Sequence, residues 1–263
     1  MSARMYAVRD TVTMLRRNLR RTKRYPVMPA IVIGIPVVVL LLFVYVFGET
    51  LGAGLGGMSA GRADYVIYVT PGIILIAIAG STQGTAISVA MDMNEGIIAR
   101  FKTMAIARVC VLNGHVLGNL IQTMLGLAVV VGVALLVGFR PTAGPIEWLC
   151  AVALLTLVAL ALTWLSVAFG LVAKTVEGAS NLPMPLILLP FLGSGFVPTE
   201  GMPAGLRWFA EYQPFTPIMD TLRGLLLGTP IGTSATIAVA WCLGMLLAGY
   251  AWARKLYDRD PVA

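Results

Sequence analysis

The sequence predicts an all-α protein that crosses a membrane six times, and two observations carry that expectation. Of the 263 residues, 58% are hydrophobic and 12% are charged, against about a quarter charged in an ordinary soluble domain. With a mean hydropathy of +0.87, the apolar side chains exceed what an aqueous core of this size could hide. The second observation is their arrangement. Six stretches, at 27–48, 66–91, 109–138, 149–173, 180–198 and 233–252, contain no Asp, Glu, Lys or Arg. A helix needs about 20 apolar residues to cross a hydrocarbon core about 30 Å thick. Each run is far longer than a barrel strand of about ten residues and lacks its period of two, so helices are expected.

Orientation follows from the flanking charges, because Lys and Arg are retained on the cytoplasmic side. The segment before the first run, the loop 92–108, the loop 174–179 and the tail carry 15 of the 19 Lys and Arg residues. Both termini are therefore expected in the cytoplasm of a cell bearing this chain in its plasma membrane. The first 26 residues are too polar for a cleavable signal peptide, and the first apolar run is long enough to span. The +7 net charge is explained by anionic lipid and topology, with no nucleic acid as partner. Cys110, Cys150 and Cys242 lie far apart, and His115 is the single histidine, which argues against a disulfide framework or a metal site.

The polar segments read as devices. Met5, Val8, Val12, Leu15 and Leu19 form one stripe of a helix within 1–26, with Arg9, Arg16, Arg17, Arg20 and Arg21 around the remainder. That is the pattern of a helix lying in the membrane interface. In the loop 92–108, Asn94 is expected to cap a short helix, with Glu95 in its first turn and Ile97, Ile98, Phe101, Met104 and Ala105 on one face. Such a helix is marginal alone, so the face meets either the membrane surface or a protein groove. In 199–232, one amphipathic piece opens near Pro203 with an Arg207–Glu211 pair, and a second carries Asp220 and Arg223 before a stop at Gly228. These pieces are expected to dip into the outer leaflet beside the proline-broken run 180–198.

Within the apolar runs, Ser81, Thr85 and Ser88 share a face that Asp92 continues, and His115, Asn119 and Gln122 share another. Gly80 and Gly84, like Gly114 and Gly118, have the spacing that lets helices approach closely. Close packing and a translocation surface explain both stripes equally. His115 reads as a hydrogen-bonded structural residue, because no carboxylate lies inside an apolar run to pair with it.

Large-scale chemistry is excluded by what is missing. The longest segment outside the runs, 199–232, is too short for a catalytic domain, and the chain has no Gly-Lys pair and hence no GxxxxGK[ST] phosphate loop. Any energy from ATP must come from a partner, and the chain itself is expected to be no enzyme. An ion-coupled secondary transporter would be expected to show an intramembrane ionisable residue or matched broken helices. A non-transport scaffold is the other alternative.

The run Gly84 to Arg108, containing Asp92-Met-Asn-Glu-Gly96 and Ala99-Arg-Phe-Lys102, resembles the signature of ABC-2 type permeases, in particular the daunorubicin-resistance exporter branch. The resemblance continues through Gly195-Phe-Val-Pro-Thr-Glu200 and Gln213-Pro-Phe-Thr-Pro-Ile-Met-Asp-Thr-Leu-Arg-Gly224 and covers essentially the whole chain. It departs at Met104-Ala105, where relatives usually carry proline. The resemblance implies the membrane subunit of an exporter, paired with a second copy or a sister permease and with separate cytoplasmic ABC ATPase subunits that bind ATP and Mg. It also implies ATPase contacts at Arg16, Arg17, Glu95, Gly96, Arg100 and Phe101. A translocation path would run past Ser81, Thr85, Ser88 and Asn181. The cargo would be an amphipathic drug, antibiotic or lipid-like molecule.

Overall fold

The computed structural model describes residues 3–24, 27–54, 61–96 and 108–258. Every regular element among them is helical. In chain order these are α1 (Ala3–Arg24), α2 (Val27–Leu42), which runs through a π-helical turn into α3 (Gly48–Ala53), α4 (Arg62–Asn94), α5 (Arg108–Val137), α6 (Pro145–Val172), the short α7 (Val176–Asn181) and α8 (Met184–Leu188), then α9 (Ala204–Tyr212), α10 (Phe215–Leu227) and α11 (Ser234–Asp258). Five helical stretches are long and apolar enough to cross a membrane: 30–53, 62–94, 111–137, 145–172 and 234–258.

The run 180–198 is not one continuous helix. It is divided between α7, α8 and a 3-10 turn at Leu189–Leu192. Pro183, Pro185 and Pro190 explain the breaks, because each removes a backbone donor and crowds the preceding turn. Pro71 is tolerated inside α4, where neighbouring helices enclose the freed carbonyls.

Burial sorts the long helices. In α4, 83% of the most apolar window is buried within the chain, against 17% for the corresponding windows of 30–53 and α11. The central helix is therefore α4, while α2 and α11 present Ile31, Ile35, Val38, Leu243 and Leu247 outward. Lipid is as apolar as leucine, so close fit rather than water exclusion must hold the helices together. Glycine supplies that fit at two crossings. A Cβ on Gly170 of α6 would lie 2.6 Å from the Ala86 carbonyl of α4, and one on Gly249 of α11 would lie 2.8 Å from the Leu165 nitrogen of α6.

At the Arg62 end of α4, the turn 193–195 is clamped against α4 and α10. Gly72 and Gly195 bring their backbones so close that a Cβ on either would meet the other at about 3 Å. Ser194 donates to Asp220 (2.8 Å), Arg223 donates to Asp220 and to the Ser194 carbonyl (both 2.8 Å), and Tyr68 donates to the same carbonyl (2.8 Å). The Arg223 guanidinium lies 4.4 Å from the centre of the Tyr68 ring. The pairs expected at Asp220–Arg223 and Arg207–Glu211 both form, the second at 2.7 Å. The Glu211 carboxylate holds the Arg207 pKa above its ordinary value. Gly228 ends α10 with φ +71°, and Pro217 lies inside the first turn of that helix.

Candidate functional site

The polar stripes of α4 and α5 meet. Ser81 donates to the Ile78 carbonyl (2.7 Å) and lies 2.7 Å from the Thr123 hydroxyl, which is left as the donor of that bond. Further along, Asn119 donates to Thr163 of α6 at 2.9 Å. Between α1, α2, α4 and α5 the same stripes border a cavity of about 630 Å³, with Thr85, Ser88, His115, Asn119 and Gln122 in its wall. Ile33, Leu127 and Val130 supply its apolar side.

At one end of this cavity stands a buried ionic cluster. Asp92 is 1% exposed and accepts two hydrogen bonds from the Arg17 guanidinium, each 3.1 Å. Its Oδ2 also lies 3.1 Å from His115 Nε2. A carboxylate paired with Arg17 can only accept, so Nε2 carries the proton. Arg17 belongs to α1 and is the one partly exposed member, at 35% of its side chain. The bidentate fork fixes the geometry of the crossing as well as its charge.

This cluster corrects two expectations. His115 does have a carboxylate partner, because α4 runs on to Asn94 and takes Asp92 with it beyond the expected end at 91. Asn94 is accordingly the last residue of α4 and not the cap of a following helix. The amide of Glu95 bonds to the Met91 carbonyl, that of Gly96 to Met93, and Gly96 takes φ +68°, which ends the helix in the left-handed region that glycine enters freely.

The glycine pairs also separate. Gly114 and Gly118 do mediate a close crossing, but with α1: added Cβ atoms would lie 2.5 Å from Met14 Cβ and 3.2 Å from Asn18 Cβ. A Cβ on Gly80 or Gly84 would meet nothing within 4 Å. Gly84 borders the cavity, so the absence of a side chain there leaves space instead of admitting a neighbour.

Of the residues expected along a path, Ser81, Thr85 and Ser88 all border the cavity, and Glu95 stands at its edge. Asn181 does not join them. It is exposed on α7, which packs on a different side of α4 through a hydrogen bond from Gln83 to the Ser180 carbonyl (2.7 Å). Arg16 is exposed, whereas Arg17 is engaged by Asp92. Arg100 and Phe101, with the rest of the face from Ile97 to Ala105, lie outside the described residues. The Arg17–Asp92 pair escaped sequence reasoning because its members are 75 positions apart. Asp92 extending the line of Ser81, Thr85 and Ser88 was its one visible trace.

Comparison with known proteins gives this helical frame its kinship. The family description ABC-2 type transporter matches residues 9–227, which spans α1, the ionic cluster, the cavity and α10. The chain belongs to the ABC-2 type transporter family. The permease is 29% identical over 247 residues to the daunorubicin resistance ABC transporter permease protein DrrB1 of Streptomyces coeruleorubidus, covering 93% of this chain and 82% of that one. It is 23% identical over 192 residues to the probable doxorubicin resistance ABC transporter permease protein DrrC of Mycobacterium tuberculosis, covering 70% of each. It is thus a multi-pass membrane permease, the transmembrane subunit of an ABC exporter and not itself an enzyme.

Proposed function

We propose that this permease moves an amphipathic drug, antibiotic or lipid-like molecule out of the cytoplasm or inner leaflet, driven by a separate ABC ATPase that binds ATP and Mg. Two permease subunits, identical or sister chains, would pair with two ATPase subunits. Both termini lie in the cytoplasm in this reading, and the proline-broken segment 180–198 counts as the fifth of six crossings. The open face of α1, with Val12 57% exposed, suits the membrane interface. The helices α9 and α10 sit at the outer leaflet.

The observation that carries the reading is the Arg17–Asp92–His115 cluster. It ties α1 to the end of α4, directly before the 92–108 segment, so a push on either cytoplasmic element reaches the cavity wall through a rigid ion pair. Arg16, Glu95, Gly96, Arg100 and Phe101 would form the ATPase contact, with Arg17 holding the strut behind them. Ser81, Thr85 and Ser88 would line the moving path, and Asn181 would join it from the start of the broken fifth segment. The drug-resistance names of the similar permeases and the apolar, hydroxyl-bearing cavity support an amphipathic cargo over a small ion, which would need its hydration shell replaced.

Purification of the permease from its native membrane in mild detergent tests this. A stoichiometric ATPase should co-purify, and Arg100→Ala with Phe101→Ala should uncouple its hydrolysis from export while the permease stays folded. Recovery of intact permease with no ATPase, even after crosslinking, would overturn the assignment.

A further inference from the structure

We infer that the proline-broken segment 180–198 works as a hinged strap along α4. It pivots at the turn 193–195 and is latched at its α7 end by the Gln83 amide, which makes Gln83 a positioning residue for transport. The inference deepens the exporter reading and rests on it for the use made of the movement.

The breaks in the segment set the physics. A continuous spanning helix satisfies its own carbonyls, but Pro183, Pro185 and Pro190 interrupt this one. Three of its carbonyls are satisfied from other elements instead. Gln83 of α4 donates to Ser180 (2.7 Å), Gln213 between α9 and α10 donates to Leu189 (3.1 Å), and Tyr68 and Arg223 both donate to Ser194. Gln213 is 4% exposed, and a Cβ on Gly193 would lie 2.6 Å from its Nε2, so the bare backbone there makes room for the donor. A bond from a side chain is released by a change of rotamer, whereas one inside a helix is released only by unwinding the turn. The segment can therefore shift while its short helices keep their internal bonds.

The two ends are held unequally, and that gives the strap its direction. Tyr68 and Arg223 together fill both lone pairs of the Ser194 carbonyl, while the Ser194 hydroxyl donates to Asp220. Gly195 rests against the Gly72 backbone. The Phe196 ring lies 4.7 Å from that of Phe43 and 4.8 Å from that of Phe191. This end is thus fixed to α4, to α10 and to the π-helical turn after α2 at once. The α7 end carries its own cap, because Thr175 accepts from the Gly178 amide at 3.1 Å. Ala179 is the one buried residue of α7, and the Gln83 bond ties the helix to α4. Swinging about the 193–195 turn, α7 keeps that cap and gives up the Gln83 latch. In the exporter reading its loop, with Lys174 and Glu177 exposed, lies on the ATPase side, so the end that moves is the end the ATPase can reach.

Two measurements on the full-length permease in mild detergent test the strap. In a background of Cys110→Ala and Cys150→Ala, Ala179→Cys places a thiol at a position that is 0% exposed, and Cys242, also 0% exposed, is the internal reference. Labelling by a water-soluble maleimide is followed at both sites by peptide mass mapping, with no ATPase present. Gln83→Met removes the donor at nearly constant volume. It should raise the labelling rate at position 179 about five- to tenfold, as expected for one lost hydrogen bond, and leave Cys242 unchanged. Equal rates with and without Gln83→Met, or the same rise at Cys242, overturn the latch. In the second measurement Gln83→Cys and Ser180→Cys are joined in the same background by a short bis-methanethiosulfonate, which locks α7 to α4. The lock should lower ATP hydrolysis by the permease–ATPase complex several-fold and a reductant should restore it, a reversal that a merely structural contact would not produce. Undiminished hydrolysis by the locked complex overturns the swing and leaves the exporter reading standing. If no ATPase joins the permease, the exporter reading falls and the labelling rates alone decide the latch.

Discussion

Removing the Arg17 side chain should destabilise the permease more than neutralising Asp92, and the two changes together should be milder than Arg17→Met alone. Asp92 is 1% exposed with two Arg17 bonds of 3.1 Å. At a charge separation of about 4 Å and an effective dielectric near 20, the attraction is about 4 kcal/mol. Arg17 keeps 35% of its side chain in contact with surroundings, so part of that is offset by screening. The cost of Arg17→Met is therefore about 2–3 kcal/mol, below the roughly 3–5 kcal/mol for breaking a fully buried pair. At about 2–4 °C per kcal/mol for a chain of this size, the melting point in mild detergent should fall by about 4–12 °C. Asp92→Asn keeps a hydrogen-bonding amide and removes the buried negative charge, so its cost should be about 1–2 kcal/mol. In the double variant no buried carboxylate remains without its cation, and the melting point should recover to near that of Asp92→Asn. A melting point for Arg17→Met within 1 °C or so of the parent, or a double variant at the sum of the two losses, would refute the idea that the penalty is an uncompensated buried charge.

Two further outcomes follow from the packing. Gly195→Ala and Gly114→Ala should each cost about 1–3 kcal/mol in thermal unfolding, because the new methyl group would overlap the α4 backbone or α1, whereas Gly80→Ala should be neutral or stabilise by up to about 1 kcal/mol, as expected for alanine in open helix. Arg223→Lys should lower the melting point by several degrees and make the 193–195 turn more susceptible to limited proteolysis, since an ammonium cannot hold Asp220 and the Ser194 carbonyl together while stacking on Tyr68; an unchanged digestion pattern would count against that role.

Long charge-free runs of 27–48, 66–91, 109–138, 149–173 and 233–252 announced the five spanning-length helices with every end within about six residues, because lipid imposes length and composition on each helix separately. The local pairs at Arg207–Glu211 and Asp220–Arg223, and the stop at Gly228, were equally legible, since helix geometry sets contacts three and four residues apart. The end of α4 was not. A charged residue reads as the boundary of a membrane run, whereas Asp92 is held buried by partners on α1 and α5. The two small-residue pairs look alike in sequence, yet Gly114 and Gly118 face α1 while Gly84 borders a void.

By itself, then, the amino-acid order determined that the chain is helical, membrane-embedded and without a phosphate loop of its own, and it contained the motifs that place it among ABC-2 permeases. Those properties depend on composition and short spacing. Only the tertiary structure decided which stripe of α4 faces α5, that Arg17 neutralises Asp92 from 75 positions away, and that Thr85, His115 and Asn119 surround one cavity. Helix packing in lipid is governed by shape and by a few buried polar pairs, and both depend on which surfaces meet, a quantity that no single helix encodes.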